Sequence, residues 1–281
     1  MDEVVTAEEQ GQIAAFFDLD KTIIAGACML ILSPHLRQNG LITRRSLVRA
    51  GYGAFIFELL GANEARMEKM RNVALKLTKG WNHDDVQEIV RDALDSAIVP
   101  KIYRDALEKI KWHKAQGHRV VIVSSSPVEI VEPIAEQINT ILEGSGIDDV
   151  IATRAKLDAD NNYTGELDLY VYGPYKPEEV TRYAKEHNIF LAISYAYSDS
   201  ITDTPFLECV GKPVAVNPDR HLAKYAKEKG WDPPLNFKKQ VTLRDRLPMD
   251  AISNPWVQAA AGVTVATITG LAVAKKFGRT K

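Results

Sequence analysis

The 281-residue chain has only two cysteines, Cys28 and Cys209, each beside apolar neighbours. That scarcity excludes a disulfide framework and predicts buried, reduced thiols, the usage of a cytosolic protein. No charge of one sign is in excess: 35 Lys and Arg stand against 37 Asp and Glu, a formal net charge of −2. Nothing global therefore argues for nucleic acid as a partner, and a ligand has to be argued from a site. The six histidines are scattered without a pair at ligand spacing, which speaks against a zinc centre. The opening MDEVVTAEEQGQ is acidic and lacks an apolar core behind basic residues, so it does not read as a secretory signal. No internal repeat is visible. What is present is ordinary globular material, 46% hydrophobic and 26% charged, enough for one large domain or a core with a smaller companion.

Two carboxylates interrupt the apolar run AAFFDLDKTII, Ala14 to Ile24. A run this short, opened by Ile13, predicts a strand over 13–20 buried on both faces. Such strands rarely carry unpaired charge, so Asp18 and Asp20 mark its end. Residues 27–100 hold helical stretches, GYGAFIFELLG and NEARMEKMRNVALKLTKG among them, and no comparable strand. Strand and helix then alternate: a helix over 103–116 closed by Gly117, a strand over 119–124, and a helix opened by Pro127 and running to 138. A hairpin follows with its turn at Asp160, Asn161 and Asn162, then a helix from Pro177 and strands over 192–197 and 213–217. The fold class is α/β, a Rossmann-like parallel sheet core with a helical cap inserted after the first strand. The expected division is a core of 1–26 and 101–235, a cap of 27–100 and a C-terminal tail of 236–281.

Three of these strands end in polar clusters, FFDLDKT, VVIVSSS and YAYSDSITD. Ligands in open α/β sheets bind beyond the carboxyl ends of the strands, where a parallel sheet gathers these clusters with Lys176 of YGPYKPEE. Acids, a hydroxyl and one fixed cation suit phosphoryl transfer. A phosphate monoester repels an attacking carboxylate until Mg²⁺, an ammonium and hydrogen-bond donors neutralise it. Asp18 and Asp20 lie two apart on an extended chain and so leave the same face. One can attack phosphorus while the other moves the proton. Asp199 and Asp203, four apart, are expected on one face of a helical turn, with Asp199 sharing the metal with Asp18 and Asp203 in support or anchoring Lys176. Blander readings stand beside these: Asp18 and Asp20 as turn acids before a helix capped by Thr22, and one of the serines 124–126 as a cap before Pro127.

Taken in order, DLDKT, VIVSSS, the lysine of GPYK and SDSITD resemble the four motifs of the haloacid dehalogenase-like superfamily. The resemblance is nearest to its subclass IB, the phosphoserine phosphatase-like hydrolases, in their actinobacterial form. It covers about Ile13 to Asp219 and continues through VNPDRHLAKYAKEKGW and LRDRLP. The resemblance implies Asp18 as nucleophile, Asp20 as general acid and base with its carbonyl on the metal, and Ser124 as phosphate ligand. It further implies Lys176 as the neutralising cation and Asp199 as Mg²⁺ ligand, with Asp203 in support. Arg71 of MEKMRNV is the candidate cap arginine for a substrate carboxylate. One position departs: nine residues after the nucleophile, where such phosphatases carry an acid facing the substrate ammonium, stands Ala27. The expected activity is Mg²⁺-dependent hydrolysis of phosphoserine or another small organic phosphate through an aspartyl-phosphate. The alternatives are a phosphatase for lipid-derived phosphates and an inactive membrane-associated scaffold.

The tail bears on those alternatives. Residues 259–274 are uncharged and, as a helix, would span roughly 24 Å against ~30 Å of bilayer hydrocarbon. Trp256, Lys275 and Lys276 suit interface anchors, whereas Gln258, Thr264, Thr267 and Thr269 oppose insertion. A membrane-associated helix over 256–276 and a surface helix or disordered tail both remain open, with the catalytic domain cytoplasmic in either case. The apolar excess of AFIFELL reads as the cap's own core or, alternatively, as contact with an apolar substrate tail or membrane.

Overall fold

A computed structural model of the chain describes residues 11–42, 64–238 and 240–241. The chain separates into two units, Met1–Gln240 and Val241–Lys281, and the first holds everything described below. Its centre is a six-stranded sheet in the order β4-β3-β2-β1-β5-β6. The strands are β1 (Ala14–Phe17), β2 (Arg119–Pro127), β3 (Asp149–Leu157), β4 (Tyr163–Leu169), β5 (Tyr195–Ser198) and β6 (Lys212–Ala215). All pairings are parallel except that of β4 with β3. Each of the four residues of β1 is buried, because β1 lies between β2 and β5 under helices on both faces.

The helices are α1 (Cys28–Gln38), α2 (Glu64–Thr78), α3 (His83–Ala93), α4 (Arg104–Ala115), α5 (Val128–Ile141), α6 (Lys176–Glu186), α7 (Thr204–Glu208) and α8 (Arg220–Glu228). The first four lie in the chain between β1 and β2. Local chemistry explains their limits. Asn82 caps α3 by accepting from the main-chain N–H groups of Asp84 and Asp85, and those two acids favour the positive end of the helix. Beyond α4 the chain turns at Gly117, whose φ of 74° is a left-handed value that glycine tolerates. The β3–β4 turn is built by Asp158, whose Oδ1 accepts from the N–H groups of Asp160 and Asn162.

The turn end of the β3–β4 hairpin docks on the corner between α2 and α3. Gly80 N–H donates to Tyr163 O at 2.8 Å, Tyr163 N–H to Trp81 O at 2.9 Å and His83 N–H to Asn161 O at 2.9 Å. The inserted helices are thereby tied to the sheet by main-chain bonds far from their own sequence ends.

Several boundaries differ from the sequence expectation. β1 stops at Phe17 rather than Asp20, since the chain turns at once through Lys21, φ 62°. No helix follows Thr22 directly; α1 begins at Cys28. β2 runs three residues beyond Ser124, with an irregular register between Ser124 and Pro127, so Ser125 and Ser126 are strand residues and α5 has no side-chain cap. Residues 191–193 form a 3₁₀ turn, which delays β5 to Tyr195. The stretch AFIFELL and the segment 256–276 lie outside the described residues. Among the described residues no helix is long and apolar enough to cross a membrane.

Candidate active site

Register places the candidate residues at one level. Phe17 pairs with Ile122 on one side and Tyr197 on the other, so Asp18, Ser124 and Asp199 emerge within a residue or two of each other at the carboxyl ends of β1, β2 and β5. Asp18 N–H donates to Tyr197 O at 2.9 Å, holding the start of the first loop against β5.

Lys176 reaches this point from the first position of α6. The 3₁₀ turn Gly173–Tyr175 delivers it, and Pro177 follows inside the first turn, where its missing N–H costs nothing. The side chain is 2% exposed, and its Nζ lies 2.6 Å from Asp18 Oδ1 and 2.7 Å from Asp203 Oδ2. Burial works against the ammonium, but the charges of Asp18 and Asp203 outweigh it and raise the Lys176 pKa. Asp203 Oδ2 also accepts from Ser198 Oγ at 2.7 Å, so both its partners are fixed. Burial pushes Asp18 up, with the charges of Asp203 and Asp199 adding to the effect and Lys176 opposing it.

Asp199 is placed differently from the expected helical turn. It sits in the loop beyond β5, and the 3₁₀ turn Ile201–Asp203 starts two residues later behind Ser200, whose hydroxyl accepts from Thr202 N–H. Asp203 is therefore aimed at Lys176 while Asp199 stays on the loop. Burial pushes Asp199 up to about 7, against the pull of Lys21 and with Asp203 and Asp219 adding negative charge. Asp219, which the sequence reading passed over, fixes this loop: its N–H donates to Asp199 O, its Oδ2 accepts from Ile201 N–H, and its Oδ1 caps α8. The signal was NPDR ahead of a helix, an N-cap pattern.

Ser124 is 1% exposed, and its Oγ accepts from Ser126 N–H at 3.2 Å. Asp20 is half-buried, and it accepts from Cys28 N–H at 2.8 Å and Ser126 Oγ at 3.0 Å. The sequence offers Ser126 only as a cap before Pro127. Arg71 bonds none of these residues: its guanidinium lies 3.5 Å from Glu68 and 5.5 Å over the Tyr170 ring, which stands beside Tyr172 and Tyr175. Both cysteines are free, Cys28 buried and Cys209 partly so.

Among the described residues no group of three or more metal-binding side chains forms. Asp18 and Asp199 are two carboxylates both raised by burial and surrounding negative charge, and the expected ligand set adds the main-chain carbonyl of Asp20. An all-oxygen set with few protein ligands suits a hard divalent cation that keeps most of its water.

The profile of the haloacid dehalogenase-like hydrolases matches residues 15–208. The chain is similar to the inhibition of morphological differentiation protein of Streptomyces azureus, 44% identical over 257 residues that cover 91% of this chain and 90% of that one. It is also similar to a probable phosphatase of Mycobacterium tuberculosis, 40% identical over 255 residues covering 91% of this chain and 86% of the relative. Among solved structures, a substrate-bound phosphoserine phosphatase superposes with a TM-score of 0.55 at 19% identity, covering 84% of this chain and 97% of that one, a likeness of fold.

Proposed function

This chain belongs to the haloacid dehalogenase-like hydrolase family, and on that premise we propose that it is a Mg²⁺-dependent phosphomonoesterase. It acts through an aspartyl-phosphate on phosphoserine or another small organic phosphate. The observation that carries the reading is the buried Lys176, bonded to Asp18 and Asp203 at the carboxyl ends of parallel strands.

Lys176 occupies Asp18 Oδ1, so Oδ2 is the oxygen that attacks phosphorus. As that O–P bond forms, the bond from phosphorus to the ester oxygen breaks and Asp20 gives the departing alkoxide a proton. Asp20 then takes a proton from the water that attacks the aspartyl-phosphate, which returns Asp18 and releases inorganic phosphate. Ser124 Oγ and the Lys176 ammonium bind phosphoryl oxygens throughout. Mg²⁺, held by Asp18, Asp199 and the Asp20 carbonyl, supplies charge neutralisation when bound. Residues 27–100 act as the cap that excludes water and selects the leaving group, with Arg71 meeting a substrate carboxylate. Because Ala27 carries no charge, an ammonium on the substrate has to be met by another group.

The test is release of inorganic phosphate from a panel of metabolite and lipid phosphates, with Mg²⁺ and with chelator, beside Asp18→Asn. Chelator-sensitive release that Asp18→Asn abolishes while keeping its fold is the expected result. Release by the variant at the wild-type rate removes the nucleophile, and no release from any compound removes the activity.

A further inference from the structure

Both oxygens of the Asp20 carboxylate are engaged by fixed donors. Oδ1 accepts from the main-chain N–H of Cys28, at the first position of α1, and Oδ2 accepts from Ser126 Oγ. Ser126 is itself 6% exposed, and its own N–H donates to Ser124 Oγ. One small residue therefore joins the β1 loop to the β2 loop. It can do so because β2 continues past Ser124 to Pro127, which keeps Ser126 buried beside the β1 loop.

We infer that Ser126 is a positioning residue for Asp20, an inference that rests on the reading of Asp20 as general acid and base. The Cys28 N–H fixes Oδ1 and the Ser126 hydroxyl fixes Oδ2, so two donors on different loops set the rotation of the carboxyl. Ser126 therefore holds the carboxyl in the orientation that the β1 and β2 loops impose. Removing the hydroxyl leaves Oδ1 tied by the Cys28 N–H and takes from Oδ2 its hydroxyl donor.

The consequence depends on the leaving group. An alkoxide needs a proton as it departs, while 4-nitrophenolate departs without one, so misaiming the acid harms alkyl esters selectively. The measurement is kcat/KM, which reports steps through transfer to Asp18. It is compared for the best alkyl phosphate of the panel and for 4-nitrophenyl phosphate, in wild type, Ser126→Ala, Ser126→Thr, Asp20→Asn and the Ser126→Ala/Asp20→Asn double variant. General acid catalysis contributes about 10²- to 10⁴-fold, so Ser126→Ala should lower the alkyl value about tenfold or more and the aryl value less than about threefold. Ser126→Thr should restore the alkyl value, and the double variant should be no slower than Asp20→Asn alone. Should Ser126→Ala fail to fold, the size-matched Ser126→Cys, a weaker donor, should show the same selectivity in smaller degree. Equal losses on both substrates, or an added loss in the double variant, overturn the inference. A wild-type protein inactive on both esters instead overturns the phosphomonoesterase reading on which it rests.

Discussion

Replacing Lys176 by methionine keeps the length of the side chain and removes its charge, which leaves Asp18 and Asp203 facing each other in a buried site. The ammonium bonds both at 2.6 and 2.7 Å and is 2% exposed, so water cannot take its place without opening the site. Breaking a buried pair by removing one partner costs about 3 to 5 kcal/mol. A carboxyl can escape part of that cost by binding a proton. Neutralising one whose ordinary pKa is 3.8 costs at most about 4 kcal/mol at pH 7, and that ceiling drops by about 1.4 kcal/mol per pH unit. The sign follows: a carboxyl with a raised folded pKa keeps its stability below pH 3.8 and loses it as pH rises. The deficit of Lys176→Met should therefore be about 2 to 4 kcal/mol at pH 7 and under about 2 kcal/mol at pH 5. For a unit of this size that is a fall in Tm of roughly 4 to 16 °C at pH 7. Thermal unfolding of both proteins in chelator, at pH 7 and pH 5, reads it directly. A shift under about 2 °C at pH 7, or a deficit that widens toward acid, refutes the buried three-membered cluster.

Two further outcomes test other parts of the molecule. Asp199→Asn should raise the Mg²⁺ concentration for half-maximal phosphate release by about tenfold or more, because a neutral amide is a poorer ligand for a hard cation; an unchanged titration moves the metal elsewhere. His113 is fully buried, with Nε2 2.7 Å from Tyr197 Oη and Nδ1 2.9 Å from His118 Nδ1, and burial, followed by the charge of His118, lowers its pKa to about 3. Below pH 6.5 the unfolded chain takes a proton that the folded one refuses, so stability falls with pH. Between pH 7 and pH 5 the wild type should lose about 2 kcal/mol more than His113→Gln by urea unfolding, and parallel losses refute the buried neutral imidazole.

The alternation of strand and helix was legible because parallel strands buried on both faces read as apolar runs, and β1 and β2 are such runs. Their ends were not legible. Whether Ser124–Ser126 continue a strand or cap a helix depends on pairing with β3, a contact between residues about 30 apart that no local pattern reports. The same limit hid the placing of Asp199 and Asp203. Four-residue spacing suits a helical turn, but the Ser200 cap delays that turn, and Asp219 pins the loop from 20 residues away. Lys176 could be singled out only by its order among the other clusters, since a lysine before a helix is ordinarily solvated. Ser198 and Ser126, which hold the acids in place, carried no signal beyond being serines near strand ends.

The hairpin bonded to the α2–α3 corner makes two stretches that are distant in sequence, 79–83 and 158–163, parts of one interchangeable piece. A graft of 27–100 from a relative with a different substrate would set the counterparts of Gly80 and His83 against a hairpin shaped for another corner, and the Tyr163 amide against a foreign Trp81 position. Transplanting selectivity within this group thus requires moving both stretches together, and relatives that differ in the hairpin should differ in the insert as well.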